Sequence, residues 1–134
     1  MIYSPNRPIG VGMIRLLIVE DQAVVSKGML MRLAAEPDFF VMGESSDGDE
    51  ALRMAKNLCP DVMLIDVDIP QLDGIGLAKK IKHDCPRTAV IFVSMRDDVI
   101  ACKRASQAGA VALVGKFMPA DMLMAQIRMA GNIL

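Results

Sequence analysis

Five short runs of apolar residues constrain the fold of this chain more than any other feature of its sequence. The runs show no alternation of apolar and polar residues and cover residues 16–19, 39–42, 62–65, 90–93 and 112–114. Unbroken runs of this kind are typical of parallel β-strands that are covered on both faces. The segments between them carry apolar residues at helical spacing, so strands and helices alternate. We therefore predict an α/β domain with a doubly wound, five-stranded parallel sheet.

Acidic residues in the connecting segments carry signals for helix starts. Asp47 lies three residues before Glu50, the spacing of a capping box, and predicts the start of the second helix. Asp73-Gly74 predicts the turn into the third helix, and Asp97 is predicted to cap the fourth. Cys102 lies among small apolar residues of that fourth helix, so we expect a packed thiol there.

Length and charge limit the classes of protein to which the chain can belong. Its 134 residues fit one domain, and we predict an N-terminal tail over residues 1–12 and the folded domain over residues 13–134. The net charge is −1 without a strongly basic segment, so a nucleic-acid-binding surface is not expected. No apolar run approaches the roughly 20 residues of a membrane helix. Three widely spaced cysteines without a CxxC pair predict a reduced, cytoplasmic setting.

Four of the five predicted strands end in residues that can do chemistry. Glu20-Asp21 ends the first strand, Asp66 the third and Ser94 the fourth, and Lys116 follows the fifth. The carboxyl ends of parallel strands share one edge of the sheet, and ligands bind at that edge where the strand order reverses. We therefore expect these side chains to form one site.

The chemistry of this set favours phosphoryl transfer. Carboxylates brought together repel one another, so a cation has to accompany them. Oxygen ligands without histidine or cysteine favour Mg²⁺, which readily takes a phosphate oxygen as a further ligand. A carboxylate beside Mg²⁺ can attack phosphorus in line, while Lys116 and the Ser94 hydroxyl bind phosphoryl oxygens. The set predicts an aspartyl-phosphate site with Asp66 as the acceptor.

Nearly the whole chain, from Ile14 to about Ala130, resembles the receiver domain of two-component response regulators. Residues 35–38 and 41–48 are most similar to receivers that carry a C-terminal helix-turn-helix DNA-binding domain. The resemblance implies a flavodoxin-like (βα)5 fold with strand order 2-1-3-4-5. The segments that carry it are Leu17-Ile18-Val19-Glu20-Asp21-Gln22, Ser46-Asp47-Gly48, Asp61-Val62-Met63-Leu64-Ile65-Asp66, Pro70, Asp73-Gly74, Ser94, Gly109-Ala110 and Lys116.

The resemblance also implies a role for each acidic residue of the site. Asp66 would accept the phosphoryl group from a phosphohistidine on a sensor histidine kinase. Asp21 and Asp66 would ligate Mg²⁺ directly, Glu20 would act largely through water, and Asp68 would contribute its backbone carbonyl. The chain would then be a phosphoacceptor switch that assists only its own phosphoryl transfer and dephosphorylation, rather than an enzyme.

In the family, Ser94 would be the hydroxyl that moves toward the phosphate, and Lys116 would ion-pair with it. Asp68 and Met95 occupy positions that in the family influence how water reaches the phosphate, so we expect an altered dephosphorylation rate, in no set direction. Two further positions, Leu113 and Phe117, depart from the family pattern. Leu113 stands where an aromatic switch residue is common, so another signal path would be required. Phe117 follows the lysine where proline is frequent, so the usual cis peptide cannot be assumed.

The partners follow from the same resemblance. We expect a sensor histidine kinase, a homodimer on phosphorylation, DNA contact only through a separate C-terminal domain, and no membrane contact. Both a stand-alone receiver and the front part of a longer regulator agree with the sequence.

Two alternatives come from other classes of protein. Ile65-Asp66-Val67-Asp68 resembles the nucleophile motif of haloacid dehalogenase phosphatases, although in that family the motif usually follows the first strand and here it follows the third. The second alternative is a receiver-like binding module that signals without phosphorylation, which would leave a complete acceptor site unused.

Overall fold

The computed structural model describes residues 12–20 and 23–131, with the side chains of residues 23–27 excepted. Its strands are β1 (Ile14–Val19), β2 (Phe39–Ser45), β3 (Val62–Asp66), β4 (Ala89–Ser94) and β5 (Ala112–Gly115). Its helices are α1 (Ala23–Ala34), α2 (Gly48–Leu58), α3 (Gly74–Asp84), α4 (Val99–Gln107) and α5 (Ala120–Gly131). Most of the predicted tail and the last three residues lie outside the described part of the chain.

The five strands form one parallel sheet in the order β2-β1-β3-β4-β5. This order confirms the predicted doubly wound, flavodoxin-like (βα)5 fold. The chain moves outward from β1 in one direction to β2 and in the other to β3, so the order reverses between β1 and β3. The crevice outside the carboxyl ends of those two strands is where an open α/β sheet binds ligands.

The apolar runs are buried because helices cover both faces of the sheet. One face packs against α2, α3 and α4, around Leu17, Ile65 and Phe92. The other face packs against α1 and α5, around Leu16, Leu64 and Ile127. Successive strand residues point to opposite faces, so a strand buried on both sides has to be apolar throughout. The two cores hold the strand ends rigidly in place.

Side chains at the helix starts test the capping predictions. The Asp47 carboxylate accepts a hydrogen bond from the Glu50 N–H at 2.9 Å, which confirms the start of α2. The Asp73 carboxylate likewise accepts one from Gly76 N–H at 2.9 Å at the start of α3. For α4 the prediction was wrong by one residue, because Asp98 is the cap and accepts from Ala101 N–H at 2.9 Å.

The α4 helix is weakly anchored to the sheet. Ala105 is its buried residue, whereas Val99 and Ile100 are 83% and 64% exposed. Cys102 is exposed as well, so the prediction of a packed thiol was wrong. Small side chains remove little apolar area from water, and burial stabilises in proportion to that area. Gly109 follows the helix with φ +97°, a conformation that glycine adopts without strain.

The described helices include none that is both long and apolar enough to cross a lipid bilayer.

Candidate functional site

The structure brings together the predicted residues that it describes at the carboxyl edge of the sheet. Glu20 follows β1, Asp66 and Ser94 are the last residues of β3 and β4, and Lys116 follows β5. The side chains of Glu20, Asp66 and Ser94 are almost fully buried, and that of Lys116 is 25% exposed. Asp21, the remaining predicted carboxylate, lies outside the described residues.

Asp66 is the centre of this arrangement. Its Oδ2 accepts a hydrogen bond from Lys116 Nζ at 2.8 Å, and its Oδ1 accepts one from the backbone N–H of Asp68 at 2.8 Å. The Glu20 carboxyl group also makes a hydrogen-bonding contact with it. The Asp66 carboxylate is therefore held in one orientation from three sides.

These contacts decide the charge state of Asp66 and Lys116. Burial raises the pKa of Asp66, but the hydrogen bonds from Glu20, from Lys116 and from the backbone of Asp68 outweigh it and hold the pKa below its usual value. Burial lowers the pKa of Lys116, but the carboxylates of Asp66 and Asp68 outweigh it and hold that pKa above its usual value. Both residues are charged at neutral pH, and an ionised carboxylate is the form that can act as a nucleophile.

The Asp68 side chain also reaches the site, and the sequence did not indicate which groups it contacts there. Its carboxylate accepts hydrogen bonds from the Met95 backbone N–H at 2.7 Å and from the Ser94 hydroxyl at 3.3 Å, and it lies 3.2 Å from Lys116 Nζ. The Ser94 oxygen in turn accepts from Arg96 N–H at 3.0 Å. Ser94 and Lys116 therefore already face the site in this state.

The donor set fits Mg²⁺ chemically. Glu20 and Asp66 bring two carboxyl groups into contact, an arrangement that requires either a shared proton or a cation. Within residues 12–20 and 23–131, no group of three or more His, Cys, Asp and Glu residues forms a metal cage. Mg²⁺ retains several waters and needs only one or two carboxylates, so oxygen ligands from Glu20 and Asp66 suit it.

The two departures from the family pattern lie on either side of Lys116. Leu113 is partly buried against the α4 side of the core and lines a cavity of about 240 Å³ that extends to Ser94. Phe117 is 79% exposed, and the described part of the chain contains no cis peptide bond. An aliphatic side chain therefore occupies the position where the family often has an aromatic ring.

Comparison with known proteins agrees with this geometry. The response regulator receiver domain family matches residues 16–128. The chain is 35% identical over 120 residues to the transcriptional regulatory protein LiaR of Bacillus subtilis, covering 90% of this chain and 57% of LiaR. It is 27% identical to the transcriptional regulatory protein DegU of Brevibacillus brevis, covering 95% of this chain and 54% of DegU. The chain thus spans little more than half the length of these relatives.

Solved structures give the same answer. The response regulator domain of Thermotoga maritima CheB superimposes with a TM-score of 0.82 at 32% identity, covering 91% of this chain and 98% of that domain. The signal receiver domain of the putative response regulator NarL from Mycobacterium tuberculosis superimposes with a TM-score of 0.79 at 27% identity, covering 88% and 96%. Fold, strand-end residues and relatives agree, and the chain belongs to the receiver domain family of two-component response regulators.

Proposed function

We propose that this chain is a phosphoacceptor switch in which Asp66 takes a phosphoryl group with the help of Mg²⁺. The observation that carries the proposal is the buried, ionised Asp66 carboxylate, fixed by Lys116 at 2.8 Å within an acidic pocket at the sheet edge. A buried nucleophile beside a fixed cation suits a reaction whose catalysis consists mainly of positioning and charge stabilisation. In this proposal residues 13–134 form the receiver unit.

Each residue has a defined part in the transfer. An Asp66 oxygen attacks phosphorus, and the bond from phosphorus to the donor breaks with its electron pair left on the donor atom. Lys116 Nζ, next to Asp66, neutralises a phosphoryl oxygen, and the Ser94 hydroxyl donates to another. When bound, Mg²⁺ would supply further charge stabilisation, with Glu20, Asp21, Asp66 and the Asp68 backbone carbonyl as its ligands.

The donor that suits this site is a phosphohistidine of a sensor kinase. A depression of about 450 Å³ adjoins the acceptor between α1 and α5, and Glu20, Met29, Lys116 and Leu123 line parts of it. Its lining is largely apolar apart from three charged residues, Glu20 and Lys116 beside Asp66 and Arg32 on α1. An imidazole ring could enter there while its phosphoryl group points at Asp66.

Transcription is the output that the named relatives favour. LiaR and DegU are transcriptional regulatory proteins, and each has a further portion of chain that this sequence does not match. DNA contact would come from such a separate domain. The weakly anchored α4 supports a change of surface there, because few buried contacts have to be broken when it moves. Dimerisation through a surface altered by phosphorylation completes the proposal.

Intact mass spectrometry after incubation with acetyl phosphate and Mg²⁺ tests the acceptor. Native chain should gain one base-labile phosphoryl group, and Asp66→Asn should gain none. Asp97→Asn is the matched control, because it removes an exposed aspartate from the loop between β4 and α4. An adduct that survives in Asp66→Asn would contradict the assignment. Rapid hydrolysis of many phosphomonoesters without a lasting adduct would instead favour the phosphatase.

Two further measurements address the donor and the output. Phosphoramidate carries the P–N bond of phosphohistidine, so uptake from it in the same assay supports a histidine donor. Beryllofluoride with Mg²⁺ imitates the phosphoryl group, and amide NMR should then show shifts in α4 and β5. If the amide chemical shifts in both elements are unchanged, the proposed coupling between Asp66 and the output surface is wrong.

A further inference from the structure

Three hydrogen-bond donors of different kinds converge on the side chain of Asp68. They are the Met95 backbone N–H at 2.7 Å, the Ser94 hydroxyl at 3.3 Å and the Lys116 ammonium at 3.2 Å. Two of the three come from β4 and the residue after it, and the third follows β5. A hydroxyl, a backbone N–H and an ammonium group arranged around one point form a built site for an anion.

A phosphoryl group on Asp66 would need two of these donors, the Ser94 hydroxyl and the Lys116 ammonium. Lys116 Nζ is 2.8 Å from Asp66 and 3.2 Å from Asp68, so one ammonium serves both carboxylates. Ser94 is nearly fully buried at the end of β4, so its hydroxyl can serve ligands only at this edge of the sheet. The Asp68 carboxylate therefore engages the donors assigned above to the transferred group.

The backbone holds Asp68 in this place. Its N–H donates to Asp66 Oδ1 at 2.8 Å, which closes an Asx-type turn between the two residues. Because the turn fixes the backbone of Asp68, rotation about its side-chain bonds alone brings the carboxylate to the Met95 N–H and the Ser94 hydroxyl. The side chain is 31% exposed, so the same torsions can carry it out to solvent without a change in the sheet.

We propose that the Asp68 carboxylate is a tethered anion that occupies the position of a phosphoryl oxygen and restrains phosphorylation of Asp66. This inference rests on the proposed function. A tethered group competes at a high effective concentration, so an incoming phosphodonor has to displace it before Ser94, Met95 and Lys116 become available. Release of Asp68 is then part of the switch, and phosphorylation exchanges one anion for another on the same donors.

The test compares rates of adduct formation from acetyl phosphate at subsaturating concentration in native chain, Asp68→Asn and Asp68→Ala. In this reaction an Asp66 oxygen bonds to phosphorus, the bond from phosphorus to the acetate oxygen breaks, and acetate leaves with the electron pair. Both substitutions keep the backbone carbonyl assigned to Mg²⁺. We expect Asp68→Ala to react about tenfold faster, the equivalent of one lost charge-assisted hydrogen bond, and Asp68→Asn to lie between it and the native chain.

Asp97→Asn separates displacement of a tethered anion from a general change in charge. It removes one negative charge from the same edge of the sheet, and its rate should stay within about twofold of native, because exposed charges are screened. An equal acceleration in Asp97→Asn would overturn the proposal. So would an Asp68→Ala rate at or below that of the native chain.

A measurement without metal or phosphodonor checks the contact itself. In EDTA, the Met95 amide should exchange with solvent faster in Asp68→Ala than in native chain, because its 2.7 Å acceptor is gone. If Asp68→Ala is phosphorylated faster but its Met95 amide exchanges at the native rate, the proposal that Asp68 occupies these donors is wrong. If no variant forms an adduct, the proposed function falls and this inference with it. If all variants form the adduct at equal rates and the adduct requires Asp66, the proposed function stands and only the tethered-anion proposal is wrong.

Discussion

Replacing Lys116 by methionine should destabilise the folded chain by about 2–4 kcal/mol at neutral pH in metal-free buffer. Methionine keeps much of the length of the lysine side chain and removes its charge. The ammonium lies 2.8 Å from the Asp66 carboxylate and 3.2 Å from that of Asp68. Removing it leaves the nearly buried Asp66, which contacts Glu20, without the cation that offsets its charge.

The magnitude follows from the geometry. At an effective dielectric near 20, each of the two ion pairs attracts by roughly 5–6 kcal/mol, and the cost of burying the ammonium offsets much of that. Breaking a fully buried pair typically costs about 3–5 kcal/mol. Lys116 is 25% exposed, so solvent screening lowers the expected loss to about 2–4 kcal/mol. That is a large fraction of the roughly 5–15 kcal/mol that stabilises a domain.

Urea unfolding followed by circular dichroism measures this loss. The double variant Lys116→Met with Asp66→Asn should recover most of it, because the unpaired buried charge is then absent. Adding Mg²⁺ should also recover part of the loss in Lys116→Met, since a second cation can offset the same carboxylates. Lys103→Met, on the exposed face of α4, is the control and should change stability little. Equal costs of Lys116→Met in the native and Asp66→Asn backgrounds would refute the electrostatic reasoning.

Three further predictions concern parts of the fold away from Asp66. Thr88→Val should cost about 1–2 kcal/mol in urea unfolding, because it removes the buried hydroxyl that donates to the Pro60 carbonyl at 2.7 Å, while Thr88→Ser should retain most of the stability. Asp47→Ala should cost about 1 kcal/mol through the lost cap of α2, and Asp47→Asn should cost much less. The hydrogen bond from Arg128 holds the pKa of Asp38 below its usual value despite partial burial. The stabilisation of the fold by this pair is therefore present above the unfolded pKa of Asp38 and is lost as pH falls through its lower folded pKa. The melting temperature of the native chain should therefore fall more steeply below about pH 4 than that of Asp38→Asn. Parallel curves of melting temperature against pH for the two proteins would contradict this.

Residue order along the chain was enough to predict how the site assembles. Apolar runs without alternation require strands that are buried on both faces, and helical segments between them require parallel connections. Once the strands are parallel, their carboxyl ends share an edge, so Glu20, Asp66, Ser94 and Lys116 meet there as predicted. Caps such as Asp47 and Asp73 were also predictable, because they act within three residues of chain.

The individual side-chain contacts between distant parts of the chain were not predictable from the sequence. The contacts of the Asp68 side chain were not predicted, because its three partners lie 26 to 48 residues further along and become neighbours only when β3, β4 and β5 align. Asp98 caps α4 where Asp97 was predicted, and Cys102 is exposed where a packed thiol was predicted. Both differences arise because the packing of a short helix with one buried residue decides where the helix starts and how it is rotated. The sequence by itself determined which chemical groups reach the sheet edge, since topology follows from apolar patterning. Only the tertiary structure decided which donor serves which carboxylate, since that depends on distances of a few ångströms across strands.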